Sequence, residues 1–133
     1  MLANDIKALL KGSPYHCKYT QQSIDRCIMP AIGFKKYMTY YDDGKLVGFL
    51  SWAFLYEHQV DGYLNKSRNL KPIDFMRNQG ELWFIDFIAP YGNVRTIIRE
   101  FQKEFQTRYP DIKFGKMFRR AKGYDARVIV RTK

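Results

Sequence analysis

The sequence predicts an α+β fold in which a mostly antiparallel central sheet is flanked by helices. Two strand-like runs, 37–41 and 45–54, are joined by an Asp-Asp-Gly segment at 42–44 that favours a tight hairpin turn. Residues 82–89 form a nearly continuous apolar run, which is typical of a strand covered on both faces. Residues 94–108 have the spacing of an amphipathic helix, so we expect helices and sheet to pack in layers.

The remaining elements follow from similar patterns. Asn4 can cap a first helix over 5–11, and Gly12 stands where a C-terminal cap is wanted. A second helix is predicted over 20–32, with Pro30 ending or kinking it. The other predictions are a weak helix over 57–64, a polar surface excursion over 66–79, strands over 112–119 and 126–131, and a buried stripe of Ile97, Ile98, Phe101 and Phe105 on the helix over 94–108.

Composition indicates one globular domain, residues 1–133, with a strong positive charge. Apolar residues make up 46% of the sequence, so a core is expected, and with 133 residues two independent cores would each be near the lower size limit. The 23 Lys and Arg residues outnumber the 13 Asp and Glu residues, and this charge of +10 predicts a polyanionic partner. No apolar run reaches the ~20 residues that span a bilayer. With no secretory signal and two cysteines, we expect a reducing cytoplasm and no disulfide framework.

Two residues stand out as candidates for chemistry. Asp86 lies between Ile85 and Phe87 in the most apolar segment, where a carboxylate is costly unless it is paired or hydrogen-bonded. His16 follows Ser13-Pro14-Tyr15 in an irregular segment after the first helix. Each has a structural alternative, since a strand Asp can bond backbone amides and a loop His can be inert. Together they form a pair in which a carboxylate can orient an imidazole as a base.

Three weaker signals accompany this pair. Ser13 is either a nucleophile with His16 as its base or a hydroxyl that satisfies backbone groups at a helix end. The turn containing Gly92 and Asn93 opens a helix, whose free amides can hold a phosphate or a carbonyl oxygen. Basic residues cluster late in the chain and predict either a solvated face or an anion-binding surface, nucleic acid included. They are Lys113, Lys116, Arg119, Arg120, Lys122, Arg127, Arg131 and Lys133.

Four segments in this order resemble one family. They are Ser13-Pro14-Tyr15-His16, Met29-Pro30-Ala31-Ile32, Gly48-Phe49-Leu50-Ser51-Trp52-Ala53, and the run from Trp83 through Asp86 and Pro90 to Gly92. The succession resembles the toxin-activating lysine acyltransferases, the hemolysin-activating enzymes of repeats-in-toxin (RTX) systems. The resemblance covers roughly residues 12–105.

The resemblance implies a GNAT-like acyltransferase fold and a cytoplasmic protein-lysine acyltransferase. Such an enzyme moves a fatty acyl group from acyl carrier protein to internal lysines of an RTX-type protoxin, with no bound cofactor and no metal. It implies His16 as the catalytic base and Asp86 as its essential carboxylate, with Ser13 in support. We expect Gly92, Asn93 and Trp52 to bind the acyl chain and its phosphopantetheine arm. Arg119, Arg120 and Lys122 are predicted to bind the carrier protein.

The resemblance is compatible with a homodimer, because family members often associate, and the sequence leaves the oligomeric state open. Three alternatives remain open at this point: a ping-pong route through acyl-Ser13 or acyl-His16, a coenzyme A-dependent GNAT acetyltransferase, and a basic nucleic-acid-binding module.

Overall fold

A computed structural model describes residues 2–14, 16–64, 70–121 and 124–131, with side chains described up to residue 117 except at 61–64. Five strands form one sheet in the order β1-β2-β3-β4-β5. All neighbours are antiparallel except β3 and β4, which run parallel. The α+β prediction with a mostly antiparallel sheet is therefore confirmed. The strands are β1 (Tyr37–Asp42), β2 (Lys45–Leu55), β3 (Glu81–Ile88), β4 (Phe114–Ala121) and β5 (Tyr124–Arg131).

The predicted hairpin is β1–β2, and its turn has the geometry that its residues favour. Asp43 and Gly44 both have positive φ angles, 53° and 80°, as a two-residue turn of the primed type requires. The parallel pair β3–β4 is joined by the predicted amphipathic helix. The helices are α1 (Leu2–Lys11), α2 (Gln21–Ser23), α3 (Met29–Gly33), α4 (Glu57–Leu64) and α5 (Val94–Arg108).

The helical segment predicted over 20–32 is interrupted by a π-helical turn, Ile24–Ile28, between α2 and α3. The N–H of Met29 donates to the Ile24 carbonyl, five residues back. The segment then continues past Pro30 to Gly33, so of the two predicted effects Pro30 does not end the helix, and the irregular turn lies directly before it. Pro30 lies in the first turn of α3, directly after the π-helical turn, and proline is tolerated at the start of an α-helix.

The sheet has a hydrophobic layer on each face. On one face, Leu50, Trp52 and Phe84 pack against Phe101 and Phe105 of α5. On the other face, α1 and the helical segment that ends in α3 cover a second layer. Its core comprises Ile6, Leu9, Leu10, Ile24, Ile28, Leu46, Phe49 and Ile88, continued by Ala31, Ala53, Leu55, Val60, Leu70, Phe75 and Trp83. We call these the α5 face and the α1 face.

Two details of the predicted core are wrong. Ile98 is 40% exposed and does not belong to the buried stripe of α5, because Ile97, Phe101 and Phe105 already fill the surface that faces the sheet. The excursion predicted over 66–79 is not wholly a surface feature in its described part. Leu70, Asp74 and Phe75 are buried there, because a 3-10 turn at Pro72–Phe75 folds back onto the α1 face.

Within the described ranges, none of the helices has the length and apolar character needed to cross a membrane.

Gly80, just before β3, provides a test of this packing. Its φ is +127°, and a Cβ at this position would stand 2.8 Å from the Leu55 carbonyl oxygen. We expect Gly80→Ala to lower the free energy of unfolding by about 1–3 kcal/mol, measured by urea denaturation, because both the backbone angle and the contact are strained. Gly33→Ala is the matched control, since a Cβ there meets no other described atom within 4 Å. Equal losses in both variants would contradict the prediction.

Candidate active site

A β-bulge in β3 determines where Asp86 points. Trp52 of β2 pairs with Phe84, whereas the preceding Ser51 pairs with Asp86, so Ile85 is an extra residue in β3. Strict alternation would put Asp86 on the same face as Phe84, among the rings of the α5 layer. The bulge moves Asp86 to the α1 face instead, opposite Ser51.

The Asp86 carboxylate is almost completely buried, with a side-chain exposure of 2%. The Tyr19 hydroxyl donates a short hydrogen bond to its Oδ1 atom. The backbone N–H of Asp86 donates to Ser51 Oγ at 3.2 Å, which fixes the strand locally. The other carboxylate oxygen, Oδ2, has no hydrogen-bond partner among the described residues. Buried polar atoms are normally satisfied, so this oxygen is an exception of the kind that occurs at functional sites.

The loop after α1 brings His16 to this carboxylate. Gly12 and Ser13 close the helix through N–H bonds to the Leu9 and Leu10 carbonyls. A 3-10 turn, His16–Lys18, follows, and the Tyr19 N–H donates to the His16 carbonyl at its end. This compact path places His16 and Tyr19 side by side, with their ring centroids 5.2 Å apart and the rings in an edge-to-face arrangement.

Both nitrogens of His16 face functional groups. Nδ1 lies 2.7 Å from Ser13 Oγ, and Nε2 lies 3.6 Å from Asp86 Oδ1. The second distance is an electrostatic contact rather than a hydrogen bond. Because a carboxylate only accepts, the network favours a proton on Nε2 and leaves Nδ1 to accept from the Ser13 hydroxyl. The arrangement can therefore draw a proton from the Ser13 side, either as a base for an incoming group or as an activator of Ser13 itself.

A cleft of about 230 Å³ opens beside His16. Its lining combines Lys7 and Lys11 of α1 with the apolar side chains of Leu10 and Ile24. Lys7 and Lys11 are four residues apart and thus share one side of α1. The cleft therefore offers cationic groups, apolar surface and an imidazole together.

The other predicted site residues lie elsewhere. Trp52 is fully buried on the α5 face, where its Nε1 donates to the Tyr109 hydroxyl at 3.3 Å, so it does not meet His16. Gly92 and Asn93 form the exposed turn before α5, both with positive φ. The side chains of Arg119 and Arg120, and the whole of Lys122, lie outside the described residues.

The turn before α5 nevertheless touches the loop that carries His16. A Cβ added at Gly12 would stand 2.6 Å from the Tyr91 hydroxyl oxygen, so the Tyr91 ring packs directly on Gly12. Gly12 immediately precedes Ser13, the hydrogen-bond partner of His16.

Sequence reasoning missed Tyr19 and Ser51. Ser51 carried a signal, because it is a polar residue between the apolar residues Leu50 and Trp52 of β2. Tyr19 follows His16 at a spacing of three, but a loop tyrosine is too common to be singled out. Its role depends on a contact with a residue 67 positions away.

Away from the cleft, burial lowers the pKa of Lys36, and the nearby charge of Arg108 lowers it further. The Lys36 ammonium donates to Asn78 Oδ1 at 2.6 Å. In the described part of the chain, no three His, Cys, Asp or Glu residues cluster in a way that would hold a metal ion.

Comparison with known proteins gives a consistent result. Residues 3–131 match the model of the RTX toxin acyltransferase family. The chain is 30% identical over 112 residues to the RTX-II toxin-activating lysine-acyltransferase ApxIIC of Actinobacillus pleuropneumoniae, an alignment covering 79% of this chain and 69% of that relative. It is 29% identical to the leukotoxin-activating lysine-acyltransferase LktC serotype A11 of Mannheimia haemolytica, over 84% of this chain and 64% of the relative.

A third relative, the lysine-acyltransferase RtxC of Vibrio cholerae, is 27% identical over 74% of this chain and 64% of its own length. The chain thus spans about two thirds of the length of these relatives.

Because one oxygen of the buried Asp86 carboxylate has no hydrogen-bond partner among the described residues, we expect this carboxylate to lower the free energy of unfolding. We expect Asp86→Asn to keep the free energy of unfolding within about 1 kcal/mol of the original protein, or to raise it, because a neutral amide is cheaper to bury than a charge with an unpaired oxygen. Urea denaturation measures this directly.

Asp74→Asn is the matched control. Asp74 is also buried, but its carboxylate accepts hydrogen bonds from Gln59, Arg77 and the Lys71 N–H. We expect its loss to cost about 1.5–3 kcal/mol, as for hydrogen bonds to charged groups. A larger loss at Asp86 than at Asp74 would contradict the prediction.

Proposed function

Since this chain belongs to the RTX toxin acyltransferase family, we propose that it transfers a fatty acyl group to lysine side chains of an RTX-type protoxin. The single observation that supports this activity is the contact between His16, which lines the cleft, and the buried Asp86, although they come from a loop and a strand far apart in sequence. The coverage of residues 3–131 by the family also supports one domain.

The chemistry requires a base. A lysine amine has a reference pKa of about 10.4 and is mostly protonated at neutral pH, so it cannot attack a thioester until it loses a proton. We assign this proton transfer to His16, with Asp86 as the carboxylate that orients the imidazole. The contact between Asp86 Oδ1 and His16 Nε2 supports the assignment, because it leaves Nδ1 as the accepting nitrogen.

Ser13 supports the transfer as a relay between the amine and the imidazole. The ammonium proton passes first to Ser13 Oγ while the Ser13 hydroxyl proton passes to His16 Nδ1, and the freed amine then bonds to the thioester carbon. The tetrahedral intermediate expels the thiolate, which takes the proton of the imidazolium, and the new amide nitrogen releases its second proton to water. The 2.7 Å separation of Oγ and Nδ1 is within hydrogen-bond reach for this step.

We propose acyl carrier protein as the donor, through its phosphopantetheine thioester. The cleft beside His16 carries two lysines, and the whole chain has a charge of +10. Both favour an acidic carrier protein and its anionic arm in this cleft over the cationic lysine of the acceptor. The apolar lining by Leu10 and Ile24 suits the first part of an acyl chain, whose burial contributes about 0.8 kcal/mol per methylene. The cytoplasm, where such a carrier is available, remains the proposed compartment.

A GNAT-like arrangement of the sheet is part of the proposal. β4 pairs with β3 through Trp83–Lys116 and Phe84–Met117, and the parallel pairing stops where the bulge begins. Ligands of sheets with parallel strands bind near the carboxyl ends of those strands, which is where Gly92 and Asn93 lie. We propose that their turn meets the phosphopantetheine arm. Trp52 lies on the α5 face, so it would bind the acyl chain only if the acyl chain reached the aromatic layer on that face.

His16→Ala tests the central assignment. We expect acylation to fall at least ~100-fold, because general-base catalysis typically contributes that much, while binding of palmitoyl-acyl carrier protein is retained. The measurement is mass spectrometry of lysines in a panel of RTX protoxins, including that of the RTX-II toxin, each co-expressed with the variant. His58→Ala is the control, since His58 is exposed on α4 and its ring stacks on Tyr56.

Near-normal acylation by His16→Ala would overturn the assignment. Accumulation of an acylated enzyme during incubation with the acyl carrier alone would instead favour the ping-pong route. The absence of transfer by the unaltered protein to any member of the panel would overturn the proposed function.

The double variant Lys7→Gln/Lys11→Gln tests the donor. We expect the KM for palmitoyl-acyl carrier protein to rise about five- to tenfold with kcat unchanged, because these lysines attract the donor and take no part in proton transfer. A palmitoyl-N-acetylcysteamine thioester has no phosphate and no carrier, so the double variant and the unaltered protein should use it equally well.

Lys103→Gln is the matched control, since Lys103 is an exposed lysine of α5 on the opposite face of the sheet. The same rise of KM in Lys103→Gln would mean that the overall charge acts rather than the cleft. Palmitoyl-coenzyme A replaces the carrier in a parallel series, and a preference for it would reject the carrier as donor.

A further inference from the structure

We propose that Tyr19 is a positioning residue that fixes the Asp86 carboxylate against His16. This role rests on the proposed function and adds a third side chain to its site. The Tyr19 hydroxyl donates to Asp86 Oδ1, the same oxygen that lies 3.6 Å from His16 Nε2. A carboxylate on a single Cβ–Cγ bond is free to rotate, so a strong donor on one oxygen decides which way the group faces.

The hydrogen bond is stronger here than it would be at the surface. Asp86 is buried at 2% exposure, and the Tyr19 ring packs against the hydrophobic cluster of α1 that includes Ile6 and Leu9. Water competes poorly for a carboxylate in such surroundings, so the phenol holds it firmly. The ring also lies edge-to-face with the His16 imidazole and restricts the imidazole from that side.

Loop and strand therefore meet through one carboxylate oxygen. Tyr19 and His16 come from the same short loop, with the Tyr19 N–H bonded to the His16 carbonyl at 3.0 Å. The short loop itself thus fixes the distance between His16, the proposed base, and Tyr19, which orients the carboxylate. Asp86 Oδ2 is buried and has no hydrogen-bond partner in the described part of the chain, so the bond from Tyr19 to Oδ1 is the one that orients the carboxylate.

Tyr19→Phe tests the role, because it removes only the hydroxyl and keeps the ring. We expect kcat for acyl transfer from palmitoyl-acyl carrier protein, with the best protoxin of the panel, to fall about tenfold, as for a loosened catalytic group. The KM for the carrier should stay the same, because Tyr19→Phe keeps the ring that lines the cleft and removes only the hydroxyl that binds Asp86.

Tyr41→Phe is the matched control. Its hydroxyl also donates to a carboxylate, Asp5 Oδ2 at 2.9 Å, but Tyr41 is 44% exposed and belongs to the outer end of the hairpin. Burial and then the hydrogen bond to Asp5 raise the pKa of Tyr41. We expect unchanged kcat and KM in this variant.

A spectroscopic measurement tests Tyr19 independently of activity. In ¹⁵N-labelled protein the two ring nitrogens of neutral His16 should differ strongly in chemical shift, since the carboxylate favours the proton on Nε2. In Tyr19→Phe the two shifts should move toward each other, as in a freely exchanging imidazole. Only two histidines are present, and His58→Ala assigns the signals.

A double-mutant cycle shows whether Tyr19 acts through Asp86. In an Asp86→Asn background, Tyr19→Phe should change neither kcat nor the His16 shifts further, because the carboxylate that it holds is gone. Additive effects, or unchanged shifts in Tyr19→Phe, would overturn the positioning role while leaving His16 and the proposed function intact. A fall of kcat in Tyr41→Phe as large as in Tyr19→Phe would overturn it as well.

Discussion

The site depends on one costly constraint, the burial of the Asp86 carboxylate in the middle of an apolar strand. A charge in such a place persists only when other groups stabilise it. The bulge at Ile85 turns the carboxylate away from the aromatic layer, and the Tyr19 hydroxyl and the His16 ring then meet it from the loop after α1. The contacts of Tyr19 and His16 with Asp86 therefore also hold the loop against the sheet.

The two faces of the sheet differ in the side chains that they carry. The α5 face is a closely packed aromatic layer in which Trp52 and Phe105 lie edge-to-face with centroids 5.1 Å apart. The α1 face carries polar groups at its centre, from Ser51 to Asp86, and opens to solvent at the cleft beside Lys7 and Lys11. Side chains fixed to a sheet keep their geometry better than side chains on a free loop, and His16 gains this advantage through its contact with β3.

Much of this fold could be predicted from the sequence, because its signals are local. The Asp-Asp-Gly turn, the apolar run of β3 and the period of α5 each depend on neighbouring residues alone. The site was predicted only in part. His16 and Asp86 were visible as residue types in unusual places, but the bulge that joins them depends on the register between β2 and β3. Tyr19 and the burial of Phe75 likewise depend on contacts between distant segments. The π-helical turn that precedes Pro30 had no recognised signal in the local sequence.

The packing of the Tyr91 ring on Gly12 brings together two parts of the molecule that the chain keeps far apart. The absence of a side chain at position 12 allows this contact, because a Cβ there would stand 2.6 Å from the Tyr91 hydroxyl oxygen. Any larger residue at position 12 would therefore force apart the turn that begins α5 and the loop that carries Ser13 and His16.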